Sequence, residues 1–183
     1  MKKAVFLDRD GVVIKQVHYL HQVEDVELES GVAEGLQKLA EAGFMLIVVT
    51  NQSGVARGMF SLADVEKIHA EINRRLQSSG VNIAAFYICP HHPDYDRDCD
   101  CRKPKPGLIL RAAADHDINL RRSYMCGDKA ADVVCGRNAG CRNSYLVLSG
   151  YGEAEKDKLP PGAPVVADFS AFAAAVLRED GQR

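Results

Sequence analysis

Short, unbroken apolar runs recur along this chain, each followed by polar or ionisable residues and then by a helical pattern. Lys3 to Leu7, Phe44 to Val49, Ile83 to Ile88, Ser123 to Cys126 and Tyr145 to Leu148 read as strands, apolar without alternation, as strands buried on both faces are. Between them, Val32 to Ala42 repeats its apolar residues at helical spacing, with Gly43 as a stop. Ser61 fits the N-cap of a helix running to Gln77, with Gly80 beyond its end. Leu108 to His116, opened by Pro106, and Ala130 to Ala139 read as further helices. Pro164 to Ala167 and an alanine-rich helix from Ser170 to Leu177 follow in the tail. Strand–helix alternation of this kind predicts an α/β fold, doubly wound, with a mainly parallel sheet and helices on both faces. A length of 183 residues favours one domain spanning 1–183.

In such folds ligands gather at the carboxyl ends of the strands, near the point where strand order reverses. Those ends here carry Asp8 and Asp10, then Thr50 and Asn51, then Cys89 to His92, then Gly127-Asp128-Lys129. A lone D-x-D after a strand is usually an ordinary turn, so the weight lies in polar groups standing at four successive ends. Carboxylates converging without a basic excess point to a hard divalent cation, and Mg2+ suits a few carboxylates plus phosphate oxygens. Thr50 offers a hydroxyl, Asn51 an amide, and Ser53 and Gly54 backbone N–H groups able to cradle an anion. Lys103 and Lys129 add positive charge. These are the parts that transfer of a phosphoryl group to a carboxylate requires.

A formal net charge of -2 supplies no basic field to recruit nucleic acid or anionic membrane. The apolar run Ala4 to Leu7 is too short for a signal-peptide core, and no later run is long enough to span a bilayer. A cytoplasmic location is therefore expected, with a small molecule as partner and neither membrane nor nucleic acid.

Cys89, His91, Cys99 and Cys101 form C-x-H-x7-C-x-C within a loop spanning 89–101, a density that matches a closed structural zinc site. Spacing alone leaves His91 and His92 both open as the nitrogen ligand. Pro90, Pro93 and the charged stretch Asp94 to Asp100 give the loop no apolar core, so a metal would supply its order. Cys126, Cys135 and Cys141 read as small buried apolar residues, and His69 and His116 as helix-surface residues.

Asp8-Arg9-Asp10-Gly11, Thr50-Asn51, Lys103 and Gly127-Asp128-Lys129-x-x-Asp132 resemble, in order, the four motifs of the haloacid dehalogenase superfamily. The resemblance implies a Mg2+-dependent phosphatase with Asp8 as nucleophile and Asp10 as acid/base. Mg2+ would be held by Asp8, the Asp10 backbone carbonyl and Asp128, while Thr50 and Lys103 hold the phosphoryl oxygens. Cys89-Pro90-His91-His92-Pro93 and Cys99-Asp100-Cys101-Arg102-Lys103-Pro104 resemble the zinc-loop branch of that superfamily, the heptose bisphosphate and histidinol phosphate phosphatases. This implies His91 as the zinc ligand and Arg102 as a substrate-binding residue. It also implies substrate contacts from Arg9, from Gln16, Val17, His18 and Tyr19, from Asn51, Gln52, Ser53 and Arg57, and from Lys129.

The expected reaction is removal of the 7-phosphate of D-glycero-D-manno-heptose 1,7-bisphosphate, on the ADP-heptose route to lipopolysaccharide core, with histidinol phosphate as the alternative substrate. A non-enzymatic zinc module gripping nucleic acid through Arg102-Lys103-Pro104-Lys105 is disfavoured by Asp94, Asp96, Asp98 and Asp100 in the same loop. Two features depart from the branch's pattern: the interval from His91 to Cys99 is short, and His18 stands where glycine usually precedes Tyr19. About forty residues separate the first two motifs, too few for an inserted cap of ~50 residues or more. An uncapped monomer roofed by short loops is expected.

Overall fold

The computed structural model describes residues 1–182; Arg183, the last residue of the expected domain, lies outside them. Its centre is strand β1 (Lys3–Leu7), and α1 (Val32–Glu41), β2 (Phe44–Asn51), α2 (Leu62–Leu76) and β3 (Ala85–Cys89) lead to one edge. The chain then returns through α3 (Gly107–His116) to β4 (Tyr124–Gly127), which pairs on the other side of β1. α4 (Ala130–Ala139), β5 (Asn143–Val147), α5 (Gly152–Glu155), β6 (Val165–Val166) and α6 (Phe169–Gly181) complete the second half. The sheet has the order β3-β2-β1-β4-β5-β6, and every neighbouring pair is parallel. Strand order reverses between β1 and β4, so their carboxyl ends flank the crevice where an open α/β sheet binds ligands.

The apolar runs explain the layering. Val5 and Leu7 of β1 join Leu46 and Val48 of β2 in one buried cluster with Leu36, Leu39 and Phe172. Ala4 and Phe6 join Ile47 and Val49 in a second cluster with Ile109, Ala112 and Met125. Alternate side chains thus leave opposite faces, and both faces are covered.

Helix limits follow their caps. Ser61 accepts from Asp64 N at 3.2 Å while the Asp64 carboxylate accepts from Ser61 N at 3.1 Å, a reciprocal box that starts α2 where the serine predicts. β3 begins at Ala85, two residues later than its apolar run predicts. The cause is Asn73 on α2, whose side chain accepts from Ile83 N at 2.8 Å and donates to Ile83 O at 3.2 Å, taking the groups a strand would pair. The sequence reading also missed α5, directly after β5. No helix among the described residues is long and apolar enough to cross a membrane.

His69 corrects a sequence expectation. It faces inward from α2, 6% exposed, with its ring stacked on Phe86 at a centroid distance of 4.1 Å. Burial, aided by the charge of Arg9, pushes its pKa down to about 3, so it is neutral. Cys126 and Cys135 are buried as expected, and Cys141 is half-buried.

Candidate active site

Asp8 leaves β1 at its carboxyl end and is tied to the neighbouring strand there, its N–H donating to Cys126 O at 2.9 Å. Lys103 reaches the same place from the far end of the cysteine-rich loop. Its ammonium is held by three acceptors: Asp8 Oδ1 at 2.8 Å, Asp132 Oδ1 at 2.6 Å and Val49 O at 2.9 Å. Burial alone would lower the Lys103 pKa, but the Asp132 and Asp8 carboxylates outweigh it and raise the pKa above its ordinary value, so the lysine stays charged. Asp132 also accepts from Lys129 N at 3.0 Å, fixing the first turn of α4. Its residue number was part of the quoted motif, but sequence reasoning gave it no role. Its spacing from Asp128 was the available signal, and its partnership with Lys103 was not visible.

One oxygen each of Asp8, Asp128 and Asp132 lies within 4.8 Å of the others. Asp128 is held by Tyr151 N, which donates to Oδ2 at 2.9 Å, whereas its buried Oδ1 has no partner. Burial and the Asp8 and Asp132 carboxylates push the Asp128 pKa up to about 7; burial and Asp8 raise that of Asp132 to about 6 despite Lys103. Lys103 balances one of the three carboxylates, and a divalent cation would match the other two. The orphaned Oδ1 and an all-oxygen donor set fit Mg2+. Gly11 permits the approach: its φ is +81°, and a Cβ there would come within 2.4 Å of Asp128 Oδ2. Gly150 packs against both Gly11 and Asp128, so the segment after β5, to which the sequence reading gave no function, helps to seat the Asp128 carboxylate.

A cavity opens above this cluster. Its lining brings together Asp8, Arg9, Asp10, Gln16, Val17, His18, Tyr19, Asn51, Gln52, Ser53, Lys103 and Lys129 of the expected set, and adds Leu20, Phe60, Ala131 and Tyr151. Lys129 lies under the Tyr151 ring, 4.6 Å from its centroid. Thr50 is buried just behind, its Oγ1 accepting from Gln52 Nε2 at 2.9 Å. Asn51 does more than line the wall. Its amide accepts from Lys103 N at 3.1 Å and donates to Lys103 O at 3.2 Å, so a side chain pairs with backbone as a strand would.

Two expected substrate residues stand elsewhere. Arg57 does not line the cavity; its guanidinium lies on the Tyr95 ring at 4.0 Å, 5.8 Å from that of Tyr19, and donates to Tyr95 OH at 2.6 Å. Arg102 likewise is not in the lining, and its Nη1 donates to His91 O at 3.2 Å. Both are drawn away by aromatic and carbonyl partners that the linear pattern does not reveal.

The loop gathers three of its four expected ligands. The Sγ atoms of Cys89, Cys99 and Cys101 are 3.0 to 3.5 Å apart. His91 is not brought to them: Nδ1 is 2.6 Å from Asp96 Oδ2 and Nε2 is 3.0 Å from Arg97 Nη2. His92 is also engaged, its Nδ1 accepting from Asp94 N at 3.2 Å. Three clustered thiols, one of them buried, suit a soft or borderline cation such as Zn2+.

A doubly wound sheet with a carboxylate at the end of β1, a second at the end of β4 and a buried lysine between them defines a hydrolase of the haloacid dehalogenase class. A family model described as "HAD-hyrolase-like" matches residues 100–172. The chain is 41% identical over 162 residues to D-glycero-beta-D-manno-heptose-1,7-bisphosphate 7-phosphatase of Pasteurella multocida, covering 86% of this chain and 88% of that protein. It is 39% identical over 158 residues to the D-glycero-alpha-D-manno-heptose-1,7-bisphosphate 7-phosphatase of Photorhabdus laumondii, covering 84% and 86%. The crystal structure of D,D-heptose 1,7-bisphosphate phosphatase from B. bronchiseptica, complexed with magnesium and phosphate, superposes with a TM-score of 0.89 at 34% identity, covering 97% of this chain and 99% of that one. This chain belongs to the heptose-1,7-bisphosphate 7-phosphatase family, and is a phosphoric monoester hydrolase.

Proposed function

We propose that this enzyme removes the 7-phosphate of D-glycero-D-manno-heptose 1,7-bisphosphate, through an aspartyl-phosphate formed on Asp8. The observation that carries the reaction is the ion triad of Asp8, Lys103 and Asp132, buried beside the unpartnered Asp128 oxygen. The sugar is carried by the relatives' names, which include both anomers.

Asp8, the Asp10 carbonyl and Asp128 would hold Mg2+, which would supply charge to offset repulsion between the carboxylate and a phosphate dianion. Asp8 Oδ attacks phosphorus, and the bond from phosphorus to the sugar oxygen breaks. Asp10 gives its proton to that leaving oxygen, then takes one from the water that displaces Asp8. Lys103 and the Thr50 hydroxyl hold the phosphoryl oxygens, already fixed before reaction. The flap Gln16 to Tyr19, Ser53 and Lys129 wall the sugar and its second phosphate.

Zn2+ is proposed as a structural ion on Cys89, Cys99 and Cys101. His91 would complete the set, and its ring would then have to leave Asp96 and Arg97. Elemental analysis of purified protein should find one zinc per chain, lost in Cys99→Ser; an unchanged zinc content in that variant rejects the site. For function, phosphate release from each anomer of the heptose bisphosphate is compared with release from histidinol phosphate under Mg2+. Higher kcat/KM on a heptose anomer is expected, and faster hydrolysis of histidinol phosphate would reverse the assignment.

A further inference from the structure

Arg9 and Gln52 line the cavity, yet their polar groups point at the catalytic machinery. Arg9 is 1% exposed. Its Nε lies 3.2 and 3.1 Å from the two carboxylate oxygens of Asp10, and Nη2 lies 3.0 Å from Oδ1. The same Nη2 donates to Gln52 Oε1 at 3.1 Å. That bond fixes which end of the Gln52 amide is oxygen, so Nε2 is left to donate to Asp10 Oδ2 and to Thr50 Oγ1, each at 2.9 Å. A hydroxyl that accepts from Gln52 keeps its own proton to give to a phosphoryl oxygen, the role proposed for Thr50 above.

We propose that Arg9 and Gln52 are positioning residues: one buried guanidinium, acting through one amide, sets the aim of both Asp10 and Thr50. The inference rests on Asp10 being the acid/base. The Nε and Nη2 edge of Arg9 is taken by Asp10 and Gln52, and only its buried Nη1 is left without a partner. A lysine could not replace Arg9, because a single ammonium cannot grip both carboxylate oxygens and an amide in one plane. Asp10 needs such a grip because it acts twice, first giving a proton to the sugar oxygen and then receiving one from water. General acid–base groups contribute about 10²–10⁴-fold, and a misplacement of about 1 Å can forfeit about 10²-fold.

The test separates the two halves of the reaction. p-Nitrophenyl phosphate has a leaving group that needs no proton, so formation of the aspartyl-phosphate does not require Asp10, whereas its hydrolysis does. In stopped-flow measurements with Mg2+, Arg9→Lys and Gln52→Leu should each show a burst near one nitrophenolate per active site. The steady rate that follows should be about 10²-fold below that of the unsubstituted enzyme, with the burst rate reduced far less. On an alkyl phosphate both variants should lose the first step as well and show no burst. Asp10→Asn is run alongside and should burst in the same way. Should Asp10→Asn burst while Arg9→Lys and Gln52→Leu slow both steps equally, the positioning role is overturned. Absence of a burst in Asp10→Asn overturns the acid/base assignment itself, and the proposal with it. If Arg9→Lys fails to fold, Gln52→Leu, which changes no charge, decides alone.

Discussion

Lys103 carries its charge almost wholly out of solvent at the floor of the cavity, and three acceptors take the place of water. This separates two substitutions that would both end activity. Asp8→Asn removes the proposed nucleophile but keeps a carbonyl oxygen near the ammonium, so turnover should vanish while the melting temperature stays within a few degrees. Lys103→Ala leaves buried carboxylates without a counter-charge, and the cost of breaking such a pair is about 3–5 kcal/mol. Thermal melts in metal-free buffer should therefore show a large loss for the lysine variant only; equal melting temperatures would contradict the triad. Asp8 and Asp10 were legible in the sequence because they stand directly after a strand, whereas Lys103, far along the loop after β3, was legible through the motif resemblance. The pairings of Arg9 with Gln52, and of Asn51 and Asp132 with Lys103, were not, since each joins residues far apart in the chain. The resemblance implied substrate contact for Arg9; it lines the cavity, with Nε and Nη2 turned toward Asp10.

Elements were most readable where a side chain marks the end. Ser61 and Asp64 box the start of α2, and replacing Ser61 with Ala should lower the melting temperature by about 2–4 °C without altering kinetics. Calorimetry checks this, and no shift would mean the box adds nothing in solution. α4 likewise runs Ala130–Ala139 as its pattern predicts, closed by Gly140 in the left-handed region. β3 was less readable because a tertiary contact, Asn73 on Ile83, overrides an apolar run suited to pairing. α5 escaped because four residues are too few to show a period.

At the scale of the molecule, the two halves of the sheet meet at the site, and a buried histidine lies behind it. His69 titrates near 6.5 when unfolded and at about 3 when folded, so between these values the unfolded chain binds the extra proton. Its contribution to stability is complete above pH 6.5 and declines as pH falls toward 3, by up to about 1.4 kcal/mol per unit. Denaturant midpoints of His69→Phe should show a shallower acid-side decline than the unsubstituted protein; identical slopes would place the ring in water. The doubly wound order and the site at its switch point were both foreseen, because buried strands and polar strand ends are properties of local sequence. How the loops roof the crevice was not, as the Arg57, Tyr95 and Tyr19 contact shows.

The pairing of Asn51 with the backbone of Lys103 has a bearing on how such a site can be re-engineered. The lysine is moored to β2 by its own peptide groups, so its position does not depend on the path the chain takes from His92 to Cys99. That stretch is an editable module between two fixed moorings. Longer loops grafted there would redraw the entrance, and with it the choice of ester, while the phosphorus chemistry beneath is left standing.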